Sequence, residues 1–167
     1  MKVLFKFLAI AVLVSGATAT FADELRIGYV DTERILRDSE PAVKAGQRIE
    51  KEFAARDQML RKLAGQVKDL RTYLEKKGSG LSGEERHNKE RELSSLNAKF
   101  QREQSKFRKD LNVRRNEELS ALLEQANKVI QNIAEKEGYD LILQEAVYRN
   151  PKIDITDKVL KALANAK

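Results

Sequence analysis

Gly78-Ser79-Gly80-Leu81-Ser82-Gly83 lies near the middle of this 167-residue chain and decides its architecture. Each of the three glycines disfavours helix by roughly 1 kcal/mol relative to alanine. On either side the sequence is helical in pattern. Before the cluster, Phe53, Leu60, Val67 and Leu74 recur every seven residues. Ile49, Leu63 and Leu70 take the companion positions, and Arg56 interrupts them. This is the a/d seam of a coiled coil. Pro41 suits the first turn, where its missing N–H costs nothing. After the cluster a second helix is expected from Ser82 or Gly83, with Glu84 and Glu85 favourable at its positive end. Leu93, Leu96, Phe100 and Phe107 form its seam. The register slips at Leu111, Arg115 and Leu119, spaced by four, and resumes through Leu122, Ala126, Val129 and Ile133.

If the chain doubles back at the glycines, the seams meet antiparallel and the numbers of opposed residues add to about 160. Val67 then faces Leu93, Leu63 faces Leu96, and Leu60 faces Phe100. Phe53 faces Phe107 and Ile49 faces Leu111. The two polar interruptions also align, with Arg56 opposite Glu103. An arm from Pro41 to Lys77 would extend about 55 Å at 1.5 Å per residue.

The chain ends read differently. In Leu25-Arg26-Ile27-Gly28-Tyr29-Val30-Asp31, Leu25, Ile27 and Tyr29 alternate with Arg26, Gly28 and Val30, which predicts a strand. A short helical turn over Thr32 to Leu36 should follow. Beyond Gly138, Asp140-Leu141-Ile142-Leu143 reads as a buried strand that Ala146-Val147-Tyr148 could extend. Thr156 is the expected N-cap of a last helix through Leu163, with Ile155 and Leu160 placed as a hydrophobic staple. The expected organisation is a mainly α chain with a small β body. Residues 41–137 form the hairpin arm, with its tip at 78–83. Residues 23–40 and 138–167 form the body, with Ile27, Tyr29, Val30, Leu141, Ile142 and Leu143 as its oligomerisation residues. A body this small, without cysteine or metal, rarely buries enough surface alone, and its strands leave open edges. An oligomer assembled through the body is therefore expected.

The first 22 residues stand apart. Lys2 and Lys6 precede the apolar run Phe7 to Val14, and small residues follow up to Ala22. That is the layout of a secretory signal peptide, expected to be cleaved after Ala22. The run is too short for the roughly 20 residues of a membrane span. The remaining chain is expected to be soluble and outside the cytoplasm. With no cysteine, it has neither a disulfide nor a cysteine-borne lipid anchor.

No catalytic pattern emerges. His87, the one histidine, sits beside Arg86 and Lys89 without a metal or triad partner. The glycine cluster lacks the Lys-Ser/Thr ending of a phosphate loop and has no strand before it. Asp and Glu alternate with Lys and Arg as on solvated helix faces. No enzyme, metal or cofactor is expected.

Charge is the informative signal. The chain carries a formal +6. Residues 60–115 hold 16 Lys/Arg against 8 Asp/Glu, a net of +8, while residues 23–59 and 116–167 each hold 7 against 9. The arm is basic and its flanks mildly acidic. The residues expected to bind an acidic partner are Lys62, Lys68, Arg71, Lys76, Lys77, Arg86, Lys89, Arg91, Lys99 and Arg102. Lys106, Arg108, Lys109, Arg114 and Arg115 are further contributors. Such a field speeds capture of acidic partners and weakens with salt. Nucleic acid is disfavoured by export and by the scarcity of aromatics for base stacking. An envelope-lipid binder or a structural spacer remains as an alternative for the same basic hairpin.

With these features assembled, the chain resembles the Skp (OmpH) family of periplasmic chaperones. The carriers are Ile27-Gly28-Tyr29-Val30-Asp31 after a signal peptide, the basic hairpin, and Arg114-Arg115-Asn116-Glu117-Glu118-Leu119 on the return helix. Asp140-Leu141-Ile142-Leu143 and Ile153-Asp154-Ile155-Thr156-Asp157-Lys158-Val159-Leu160 complete them. The resemblance implies a homotrimer whose chain termini build a small β-barrel body. Three arms would enclose a cavity holding unfolded outer-membrane β-barrel proteins without ATP. It also implies possible lipopolysaccharide binding through arm cations, at no assigned residue.

Overall fold

The structure, a computed structural model, describes residues 24–166. The leader expected over residues 1–22 lies outside them. Strand β1 (Ile27–Tyr29) leads into helix α1 (Thr32–Asp38) and then the long helix α2 (Glu40–Lys77). A 3-10 turn (Gly78–Gly80) reverses the chain into α3 (Gly83–Glu137). Strand β2 (Leu141–Leu143), a second 3-10 turn (Pro151–Ile153) and α4 (Thr156–Asn165) complete it.

Local chemistry explains the boundaries. Asp31 accepts a hydrogen bond from the Arg34 N–H and starts α1, and Ser39 does the same for Ala42 at the start of α2. At the tip, Leu81 and Ser82 are extended, so the helix cannot run on. Ser82 and Glu85 then form a reciprocal capping box, each satisfying a backbone N–H of the other. The Ser82 hydrogen bonds hold the Glu85 carboxyl below its ordinary range. At the far end of α3, Gly138 takes φ 65°, a left-handed cap that an L side chain rarely adopts.

The two strands pair in parallel, with Ile27 opposite Leu141 and Tyr29 opposite Leu143. Parallel neighbours require a long crossover, and here the crossover is the whole hairpin. One further bridge joins Tyr29 to Asp154. The core packs Val30, Ile35, Ile155, Val159 and Leu163 against Ala126 and Ile133 of α3. The last turns of α3 thus belong to the body's core as well as to the arm. Gly28 lets the chain pass close to this core: a Cβ would sit 3.3 Å from side-chain atoms of Tyr139 and Ile155, which would have to give by a few tenths of an ångström.

Two expectations at the C-terminal end are corrected. Thr156 is the first residue of α4 and not its cap; Ile155 holds the cap position without a side-chain bond. The Thr156 hydroxyl is buried and accepts the Asp31 N–H at 2.9 Å, while Asp154 accepts the Thr156 N–H. A tertiary bond has taken the side chain that local capping would have used. The Ile155–Leu160 staple positions shift with the cap. Ala146-Val147-Tyr148 does not extend the sheet, and Val147 and Tyr148 are among the most exposed large side chains described. Nor is β2 a buried strand: Leu141 is exposed, and Ile142 and Leu143 are half-buried.

Candidate functional site

The surface of functional interest is the arm, because the apolar seam fixes which faces of α2 and α3 remain outside. Phe53, Leu60, Leu63 and Val67 are buried in that seam. Ile49, Leu93, Leu96, Phe100, Phe107 and Leu111 are half-buried. Phe53 and Phe107 touch edge to face, and Ile49 shares a groove of about 470 Å³ with Leu111, both as opposed residues adding to 160 require. α2 supplies the deeper positions of the seam; the buried residues of α3 are Leu122, Ala126 and Ile133, all near the body.

Arg56 departs from the expected pairing. Its guanidinium lies over Phe53 and Phe107, at 5.5 and 5.7 Å from the ring centroids, and bonds Asp110 at 2.9 Å. Glu103 is half-buried and forms no ion pair among the described residues. The cause is the lean of helical side chains toward their own N-terminus. On α2 that direction is rootward, away from Glu103. On α3 it is tipward, which brings Asp110 to meet Arg56.

The same lean builds a ladder along one flank of the seam. Arg48 bonds Glu118, Glu52 receives Arg114 at 3.0 Å, and Arg56 meets Asp110. Sign alternates along each helix at a spacing of four, so every rung is also flanked by opposite charge. Glu118 is the centre: its carboxylate is 10% exposed and also accepts from Arg114 at 2.6 Å. The Arg48 hydrogen bond holds the Glu118 carboxyl below its ordinary range against the opposing effect of burial. Arg48 and Arg114 are raised in turn by their carboxylate partners. The alternation Arg48, Glu52, Arg56 on α2 and Asp110, Arg114, Glu118 on α3 is the sequence signal for this ladder.

The expected basic residues do not converge on a single pocket. Lys62, Lys68, Arg71, Lys76, Lys77, Lys99 and Arg102 are all exposed and take part in no ion pair among the described residues. Arg86 is held by Glu90, Lys89 by Glu92, and Arg91 bonds Asn88. The Glu92 hydrogen bond raises Lys89. Lys99 lines an open groove of about 660 Å³ near the tip, together with Gln66, Asp69, Leu70, Tyr73, Glu92, Ser95 and Leu96. Tyr73 and Gln66 carry no charge and lie off the main seam, so neither the charge count nor the heptad pattern picks them out.

Among the described residues no group of His, Asp or Glu is placed to hold a metal ion. No described helix is long and apolar enough to cross a membrane.

Comparison with known proteins adds the following. The family profile described as "Outer membrane protein (OmpH-like)" matches residues 26–163. A curated relative named "Chaperone protein Skp" from Pectobacterium atrosepticum is 27% identical over 153 residues, covering 90% of this chain and 91% of that protein. Its namesake from Vibrio cholerae is 24% identical, covering 93% and 94%. A crystal structure described as an OmpH-like outer membrane chaperone from Caulobacter crescentus CB15 superposes with a TM-score of 0.71. It is 17% identical and covers 84% of this chain and 85% of that one, a likeness of fold.

Proposed function

The chain belongs to the outer membrane protein (OmpH-like) family, and from that premise we propose that it is an ATP-independent holdase chaperone for unfolded outer-membrane proteins. It works in the periplasm after removal of its leader. The observation that carries this reading is a long two-helix arm, rich in unpaired cations, raised on a body with one small core. An arm of this kind has no enclosed pocket. It suits a client held by many weak contacts, where avidity replaces a specific site.

The body is the oligomerisation module of a homotrimer. The two-stranded sheet, the exposed Leu141 and the fully exposed Val147 support further strand partners from other subunits. Three subunits would close these strands into a small barrel and set three arms around a cavity. Long-range attraction by the arms draws in acidic, unfolded clients. Refolding a denatured outer-membrane protein with and without this chain tests the reading. Suppressed aggregation at a fixed ratio of trimer to client is expected; aggregation unchanged at excess chaperone would overturn it.

One observation favours a second ligand. On α3, Arg91, Lys99, Arg102, Lys106 and Lys109 recur along one side, and none forms an ion pair among the described residues. This stripe suits an anionic surface such as lipopolysaccharide or anionic lipid. Binding to lipopolysaccharide micelles without binding to denatured porin would favour that reading over the chaperone.

A further inference from the structure

The ion ladder closes one flank of the arm at its root and stops at Arg56 and Asp110. The same flank continues toward the tip in a different chemistry. Glu52, Met59, Gln66 and Tyr73 follow at intervals of seven on α2, and Glu92, Lys99 and Lys106 at intervals of seven on α3. Seven residues are close to two helical turns, so each series stacks along one side. Only Glu52 of the α2 series is paired across the arm. Beyond it Met59 and Tyr73 are each 42% exposed. Opposite them Lys99 and Lys106 have no ion-pair partner among the described residues. The groove in this stretch measures about 660 Å³ and is lined by Asp69, Leu70, Tyr73, Glu92, Leu96 and Lys99 among others.

We infer that this open stretch of the flank, from Met59 to Tyr73 and from Glu92 to Lys106, is a binding groove for extended polypeptide whose residues alternate apolar and acidic. The inference rests on the chaperone reading and gives its client contact an address. The apolar side chains of such a segment seat on Met59, Leu70 and Tyr73, and its carboxylates meet Lys99 and Lys106. Charge decides the sign of the occupant. Within these bounds the free cations of α3 are Lys99, Arg102 and Lys106, against Asp69 and Glu103; Glu92 is already held by Lys89. Length agrees as well. Met59 to Tyr73 spans about 21 Å at 1.5 Å per helical residue, which is about six residues of extended chain at 3.3 Å each. Alternation with a period of two is the pattern of a transmembrane β-strand, which presents apolar side chains to one face.

The test uses the full secreted chain and two fluorescein-labelled heptapeptides, one alternating phenylalanine with aspartate, the other phenylalanine with lysine. Fluorescence anisotropy should show the acidic peptide binding at least fivefold more tightly. Tyr73→Ser combined with Lys99→Gln should weaken it at least fivefold, as should Met59→Ser with Lys106→Gln at the other end of the groove. Gln58→Ser with Arg108→Gln, off this flank, should change it less than twofold. Equal losses in all three variants, no loss in the first two, or equal binding of both peptides would overturn the assignment. So would a wild-type chain that suppresses porin aggregation yet ignores the acidic peptide. A wild-type chain that fails to suppress aggregation would instead remove the chaperone reading itself.

Discussion

The Phe53 ring meets the Phe107 ring edge-on, with centroids 5.5 Å apart and planes at 83°. This contact joins the outgoing and returning helices between the ionic root and the apolar middle of the arm. Truncation to Phe53→Ala should cost about 3 kcal/mol, toward the lower end for a buried aromatic because the seam is only one layer thick. A cycle with Phe107→Ala should return a coupling of about 1 kcal/mol, measured by urea unfolding at fixed protein concentration. Additive losses would mean that the rings are neighbours without mutual stabilisation.

The Arg56 guanidinium chooses Asp110 over Glu103, so the two carboxylates should respond differently to neutralisation. Arg56→Met and Asp110→Asn should couple by about 0.5–1 kcal/mol, as partly exposed pairs do. Arg56→Met and Glu103→Gln should be additive. Coupling to Glu103 in the folded protein would show that the lean of the side chains has been misassigned.

Much of this arm was legible in the sequence because heptads and glycines are local signals. The Phe53–Phe107 contact follows from spacing, and the chain reversal from the glycines. The Arg56 partner did not, since a rule for opposed residues describes short side chains pointing straight across. Long charged ones lean, and their pairs are offset by several residues. Thr156 was misread for a related reason: its sequence context is that of a cap, but the Asp31 N–H reaches it from far along the chain. The strand at Leu141–Leu143 is apolar enough to predict burial, and yet Leu141 is exposed and its two neighbours are half-buried, because apolar composition marks a surface for burial without saying what covers it.

Glu118 gives the arm root a pH dependence whose sign is fixed. Its folded pKa lies below the ordinary value because the Arg48 hydrogen bond favours the carboxylate. The stabilisation is therefore complete above the unfolded value, about 4.3, and is lost as pH falls through the folded value. Protection factors for amides 111–119, measured by hydrogen exchange, should fall between pH 5 and pH 3 relative to those of 60–67. Glu118→Gln should lower them already at pH 7 and abolish the trend. A trend unaltered in that variant would assign the titration elsewhere.

Thr156 is a buried hydroxyl whose removal leaves the Asp31 N–H without a partner. Thr156→Val should destabilise the body by about 1–3 kcal/mol, the range for an unsatisfied buried donor. Thr156→Ser should recover most of the loss, since it keeps the oxygen and gives up one methyl. Thermal unfolding of both variants checks this. Equal destabilisation by Val and Ser would point to lost packing and not to the hydrogen bond.

The body should come apart by charge before it comes apart by unfolding. Val30, Ile35, Val159 and Leu163 form a core that one subunit completes with its own residues. Leu141 and Val147 face outward, at 45% and 111% exposure. A carboxylate at both positions, in Leu141→Asp with Val147→Asp, leaves that core untouched and would have to be desolvated in any interface, where an unpaired buried charge is costly. If the proposed trimer forms through these strands, sedimentation equilibrium should report it for the parent chain and single subunits for the variant, with far-UV helicity largely kept because the hairpin seam lies within one chain. On the proposed assembly, suppression of porin aggregation should then fall steeply, because arms that are no longer joined lose their avidity. An unchanged mass would place the interface away from these strands. A monomer with full activity would mean that one arm suffices to hold a client.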